Sequence, residues 1–193
     1  MLSVTQVLSP YAGYHGIDPS ILQAAKERGI IVHRLCAAMA EGLPVLSVPD
    51  VAAGYVESFR RWLSAASAEI VLVEQYIEDR ELGFFGHPDL VLRQKWDGGL
   101  AVVDLKTSRA TRPTWACQVA AYRHLVRLEL LEEPRRGYVL LLDPEGGMPR
   151  LVEYRDWRRD LSVFLACLTA YRYFGNATDK GGDADGQEEE DWD

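Results

Sequence analysis

The segment from Gly86 to Lys106 constrains this chain most, because it holds two short Val- and Leu-rich runs joined by a Gly-Gly pair. Leu90-Val91-Leu92 and Leu100 to Leu105 flank Trp96-Asp97-Gly98-Gly99, the pattern of two antiparallel strands closed by a tight turn. Side chains two apart on a strand share a face, so Asp104 and Lys106 point one way and Leu105 the other, toward a core. With the hairpin closed at 97–99, Asp89 falls opposite the stretch from Asp104 to Lys106.

Two carboxylates brought together without a counter-charge resist joint ionisation, and a hard cation removes that cost. Carboxylate and carbonyl oxygens suit Mg²⁺ or Mn²⁺. A lysine beside such a centre orients or deprotonates a water, or steadies charge on a phosphate. The plainer alternative is a surface hairpin with an ordinary Asp–Lys charge pattern, worth little to stability.

Pro88-Asp89 followed after fifteen positions by Asp104-Leu105-Lys106 resembles the PD-(D/E)XK nuclease superfamily. Gly86-x-x-Asp89 with Asp104-x-Lys106-Thr107 is similar to its RecB-type branch, which includes phage exonucleases of the lambda type. Gln118-Val-Ala-Ala-Tyr122 matches that branch's Gln-x-x-x-Tyr element, and Arg28-Gly29-Ile-Ile-Val-His33 its Arg-Gly-x-x-x-His element. Four motifs in order span residues 28 to 122.

The resemblance implies that His33, Asp89, Asp104 and the Leu105 carbonyl are metal ligands, and that Asp89, Asp104 and Lys106 are catalytic. His33 lies in an apolar helical pattern and would otherwise read as a core histidine. Gln118 and Tyr122 are one helical turn apart and share a face with Trp115. Pattern alone makes that stripe core packing, whereas the resemblance turns Gln118 and Tyr122 to a cleft. Arg28 joins them as an auxiliary or DNA-contacting residue, and Glu74, near a strand end, is a further candidate for the cleft. Between the lysine and the next helix, Ser108, Arg109 and Arg112 alternate hydroxyl and guanidinium groups, suited to phosphate oxygens or to a solvated loop.

The implied fold is α/β: a central mixed β-sheet flanked by helices on both sides, a restriction-endonuclease-like core. Helices are expected from Asp18-Pro19 to about Ala40, with a break or kink at Gly29, over Val51 to Ala66, and at about 113–131 and 156–174. Val51, Tyr55, Phe59, Trp62 and Leu63 are the expected inward stripe of the second. Strands are expected at about 69–78, 83–93, 99–107, 136–142 and 151–154.

At 193 residues and 48% hydrophobic content the chain suits one domain, taken as residues 1–178. Its net charge of -8 is concentrated at one end: residues 179–193 hold eight acidic residues and one lysine, which leaves about -1 for the rest. Such a segment reads as a disordered acidic tail, a solubilising one or, with Trp192 among carboxylates, a cover for the cleft or a dock for a basic partner. The lack of a phosphate-binding Gly-x-x-x-x-Gly-Lys-Ser/Thr loop argues against a bound nucleotide. No 18-residue apolar stretch occurs, and a soluble, cytoplasmic protein is expected. Cys36, Cys117 and Cys167 are scattered through apolar helical sequence, unlike the four-cysteine pattern of RecB-type nucleases that carry an iron–sulfur cluster, so none is expected.

The resulting expectation is a Mg²⁺- or Mn²⁺-dependent DNA exonuclease of phage, prophage or bacterial recombination or repair. It would act on linear ends or single strands, with a recombinase or single-strand-binding protein as possible partner. The alternatives are a non-catalytic module of the same fold that binds DNA ends or a partner, and a structure-specific endonuclease.

Overall fold

A computed structural model describes residues 1–13, 16–108 and 110–180, of which 176–180 are described as backbone alone. In chain order the elements are β1 (Leu2–Ser3), α1 (Val4–Leu8), a 3-10 turn (Ser9–Tyr11), α2 (Pro19–Ala40), α3 (Asp50–Ala65), β2 (Ala68–Val73) and β3 (Ile77–Asp79). They continue with β4 (Phe84–Gly86), β5 (Leu90–Gln94), β6 (Leu100–Lys106), α4 (Pro113–Leu130), β7 (Arg136–Leu141), β8 (Arg150–Glu153) and α5 (Trp157–Lys180).

A five-stranded mixed sheet runs in the order β2-β5-β6-β7-β8, with β6 and β7 parallel and α4 as their crossover. Alternation along its strands builds two cores. Leu90, Leu92, Val103 and Leu105 face α2 and α3, packing on Val32, Cys36, Tyr55 and Phe59. Val91, Leu100 and Val102 face the other way, onto Ala121 and Leu125 of α4 and Phe164 of α5. Helices therefore cover both sides of the central sheet, as the sequence implied.

Local signals set the boundaries. Asp18 caps α2 by accepting the Ser20 N–H at 2.8 Å, and Pro19 occupies the first turn. The helix passes Gly29 without interruption, so the expected break is absent. In α3 the expected Tyr55 and Phe59 are buried, with Ala52, Val56 and Ser58, and Trp62 and Leu63 pack against the same core, while Val51 is exposed. Gly54 brings this helix onto the chain after β7, where an added Cβ would lie 1.6 Å from the Pro144 carbonyl oxygen.

The expected strands 69–78 and 83–93 each divide in two. Glu74 adopts a left-handed conformation, with φ 46°, between β2 and β3. Across from it His87-Pro88-Asp89 separates β4 from β5, and Pro88 has no N–H for a ladder. The detached halves, β3 and β4, pair with β1 in a three-stranded sheet of order β1-β4-β3. The N-terminal pieces β1 and α1 had no counterpart in the sequence reading. α5 extends past 174 to Lys180, crossing the expected domain boundary at 178, and the rest of the acidic tail, 181–193, lies outside the described residues.

Candidate active site

The C-terminal end of β6 and the start of β5 meet at the floor of the site. Leu90 pairs with Val103, so Asp89, one residue earlier, comes opposite Asp104. Both aspartates are buried, and Leu105 turns into the α2/α3 core as strand alternation requires. His33 arrives from α2: its Nδ1 lies 3.1 Å from Asp89 Oδ1 and 3.7 Å from Glu74 Oε1. Among the described residues, His33, Glu74 and Asp89 each offer one ligand atom, all within 4.8 Å of one another. The left-handed turn aims Glu74 at this point, and its N–H donates to the Asp89 carbonyl at 3.1 Å.

Lys106 lies on the same strand face as Asp104, with Nζ 2.6 Å from Asp104 Oδ2. Gln118 of α4 spans the pair. Its Oε1 accepts from Lys106 Nζ at 3.1 Å, and its Nε2 donates to Asp104 Oδ1 at 3.0 Å and to Tyr122 OH at 3.1 Å. Tyr122 is itself buried behind Gln118, so it orients the amide and does not reach the cleft. Gly86 makes room for this ring, since a Cβ there would sit 2.6 Å from Tyr122 Cε1. Trp115, one turn earlier on α4, backs the ammonium, with Nζ 5.9 Å from its ring centroid.

Burial drives the titration behaviour and neighbouring charges divide it. Burial pushes Asp104 up and the Asp89 charge adds to this, while Lys106 opposes; the carboxyl ends at about 6. Burial would likewise raise Asp89, yet the His33 charge and hydrogen bond, Lys106 and the Leu105 N–H hold it below the ordinary carboxylate range. Burial pulls His33 down, but the Asp89 charge and hydrogen bonds to Asp89 and Glu74 lift it to about 10. This favours the protonated ring, with Nδ1 turned toward Asp89 and Glu74.

That arrangement fits a divalent cation chemically: two carboxylates and an imidazole converge, and a third carboxylate stands beside them. A metal held by His33 must displace its proton. Mn²⁺ affinity measured by calorimetry should therefore rise about tenfold per pH unit between about pH 7 and 9, with proton release on binding. A flat profile would remove His33 from the ligand set.

The centre opens into a cleft of about 930 Å³ between α2, the N-terminal elements and the chain after β6. Arg28, Lys106, Thr107, Ser108 and Arg112 line it. The Arg28 guanidinium lies 5.5 Å over the Tyr55 ring, and its buried Nε makes no hydrogen bond within the described protein. Arg112 donates to the carbonyls of Ala12 and Gly13, tying the N-terminal segment to this wall. Arg109 lies outside the described residues. Leu105 contributes its N–H, donated to Asp89 Oδ2.

The structure thus joins His33, Asp89, Asp104, Lys106 and Gln118 as the motifs implied, and moves Glu74 from the margin into the cluster. Sequence reasoning missed Tyr55, the platform under Arg28, since an inward-facing tyrosine on a helix carries no sign of the cation above it. Among the described residues no helix is long and apolar enough to cross a membrane.

A family model for the PD-(D/E)XK nuclease superfamily matches residues 21–188. No curated protein sequence matches the chain. Among solved structures, it is similar to the exonuclease LHK-Exo in complex with dAMP, at 14% identity, 94% coverage of each chain and a TM-score of 0.43. A second similar structure is the alkaline exonuclease LHK-Exo from Laribacter hongkongensis, at 14% identity, the same coverage and a TM-score of 0.41. The chain belongs to the PD-(D/E)XK nuclease superfamily.

Proposed function

We propose that this member of the PD-(D/E)XK nuclease superfamily is a Mg²⁺- or Mn²⁺-dependent deoxyribonuclease that degrades linear DNA from an end. The observation that carries this reading is the convergence of His33, Glu74 and Asp89 beside the Asp104–Lys106 pair, at the floor of a cleft with cationic walls. His33, Glu74, Asp89 and Asp104 would hold the cation. When bound, it supplies Lewis acidity and neutralises charge building on the phosphate.

The protein's own groups do the remaining work. Lys106, fixed between Asp104 and Gln118, offers N–H donors to the attacking water and to a phosphate oxygen. Gln118, held by Tyr122, keeps both Asp104 and Lys106 in place. Arg28 and Ser108 supply donors for backbone phosphates, contacts that position DNA without reading its sequence. Such an enzyme belongs to phage, prophage or bacterial recombination or repair in the cytoplasm, where a recombinase or single-strand-binding protein would receive the exposed strand.

The test is incubation of the purified full-length protein with labelled linear and closed circular DNA in Mg²⁺, Mn²⁺ or EDTA. Linear DNA should be degraded with either metal and spared in EDTA, and circles should persist. Binding without cleavage in both metals would establish a non-catalytic module, and cleavage of circles an endonuclease.

A further inference from the structure

The ribbon β3–β4 carries a face that the core does not use. Its register pairs Ile77 with Gly86 and Glu78 with Phe85, so Tyr76 stands across from His87. Alternation sends Ile77, Asp79 and Phe84 inward, where all three are buried and Phe84 packs on Phe164 at 4.9 Å between centroids. The outward set is Tyr76, Glu78, Phe85 and His87. Three of these are rings in mutual contact: Tyr76–Phe85 at 5.2 Å, Tyr76–His87 at 5.4 Å and Phe85–His87 at 5.9 Å. Tyr76 is 46% exposed and His87 is exposed, so the cluster presents rings to solvent.

This face is continuous with the metal-ligand cluster. Glu74 precedes Tyr76 by two residues and Asp89 follows His87 by two, and the Glu74 N–H to Asp89 carbonyl bond closes the same ribbon between them. Two residues of chain reach at most about 7 Å, so the Cα atoms of Tyr76 and His87 lie within about 7 Å of those of Glu74 and Asp89. The Tyr76 hydroxyl donates to Glu78 Oε2 at 2.8 Å, and Arg80 pairs with the same carboxylate, which holds the tyrosine in place. The face therefore offers π-surfaces to a ligand.

We propose that Tyr76, Phe85 and His87 form a stacking platform for an unpaired nucleobase adjoining the scissile phosphate. The inference rests on the nuclease reading and adds to it a preference for a single-stranded or frayed end, because a base within a duplex has both faces already stacked. Aromatic–base stacking tolerates any base, in keeping with degradation that ignores sequence.

The decisive experiment is a cycle between protein and substrate, read as affinity for a labelled single-stranded oligonucleotide in Ca²⁺. Tyr76→Ala and His87→Ala should each weaken binding of the intact strand about tenfold, and Tyr76→Phe should restore it. An abasic residue scanned along the strand should weaken the parent protein equally at one position near the end, and should cost the Tyr76→Ala variant nothing further there. Unchanged affinity in Tyr76→Ala, or full additivity with the abasic site, would overturn the platform. A parent protein that binds but cleaves in neither Mg²⁺ nor Mn²⁺ would overturn the hydrolase reading alone, with the cycle still deciding the platform. Failure to bind the oligonucleotide would overturn the platform, with the hydrolase reading still decided by cleavage of linear DNA.

Discussion

Lys106→Ala is expected to lower kcat for DNA hydrolysis by about 10³-fold while leaving DNA affinity within a few-fold of the parent. Its ammonium lies 2.6 Å from Asp104 Oδ2 and 3.1 Å from Gln118 Oε1, at the floor of the cleft beside the ligand cluster. Removing it deletes a donor needed as charge develops in the transition state but leaves ground-state contacts from Arg28 and Ser108. Lys106→Arg should rescue little, since a planar guanidinium cannot take the position of a compact ammonium between a carboxylate, an amide and the Trp115 ring. Single-turnover cleavage with matched thermal melts measures this. Activity within tenfold of the parent would show that the lysine is a structural ion-pair partner.

Asp89 carries a double burden, and two substitutions separate its parts. It accepts the buried Leu105 N–H and pairs with His33, so Asp89→Ala leaves one donor unsatisfied and removes the nearer of the two carboxylates beside the imidazole. Metal-free stability should fall by about 2 kcal/mol, limited because His33 can shed its proton once the carboxylate is gone. Asp89→Asn retains an acceptor for Leu105 and should lose less. Both variants should lose the thermal shift that Mn²⁺ gives the parent. Urea unfolding in EDTA and melts with added Mn²⁺ give the two readouts. An undiminished Mn²⁺ shift in Asp89→Ala would place the cation elsewhere.

The parts legible in the sequence are those with a short-range physical cause. Strand alternation placed Asp104 and Lys106 on one face and Leu105 in the core, and the Gly98-Gly99 turn set the register that brings Asp89 opposite Asp104. Asp18-Pro19 marked the start of α2, and Pro113 that of α4. Long-range convergence was different: His33 reads as one more residue of an apolar helix, and only the combination of motifs set it beside the aspartates. Glu74 was legible only as a strand-end carboxylate that could face the cleft, because its backbone conformation, not its neighbours in sequence, delivers it to the site. The same kink divides the long strands that hydrophobic runs alone suggested, and it creates the separate ribbon bearing Tyr76, Phe85 and His87. Tyr122 was legible as sharing a face with Gln118, but depth was not: packing against Gly86 puts the ring behind the amide. Arg112, whose segment suits phosphate oxygens or a solvated loop, lines the cleft, and its Nη1 also donates to the carbonyls of Ala12 and Gly13, about a hundred residues away, which no local pattern reveals.

The most direct test of the metal centre is an anomalous difference map from crystals soaked in Mn²⁺. A peak is expected about 2–2.5 Å from oxygens of Asp89 and from His33 Nδ1, with Glu74 or Asp104 completing the protein ligands and Lys106 outside the coordination sphere. A saturated soak with no peak there, or one bound only by other carboxylates, would contradict that ligand set.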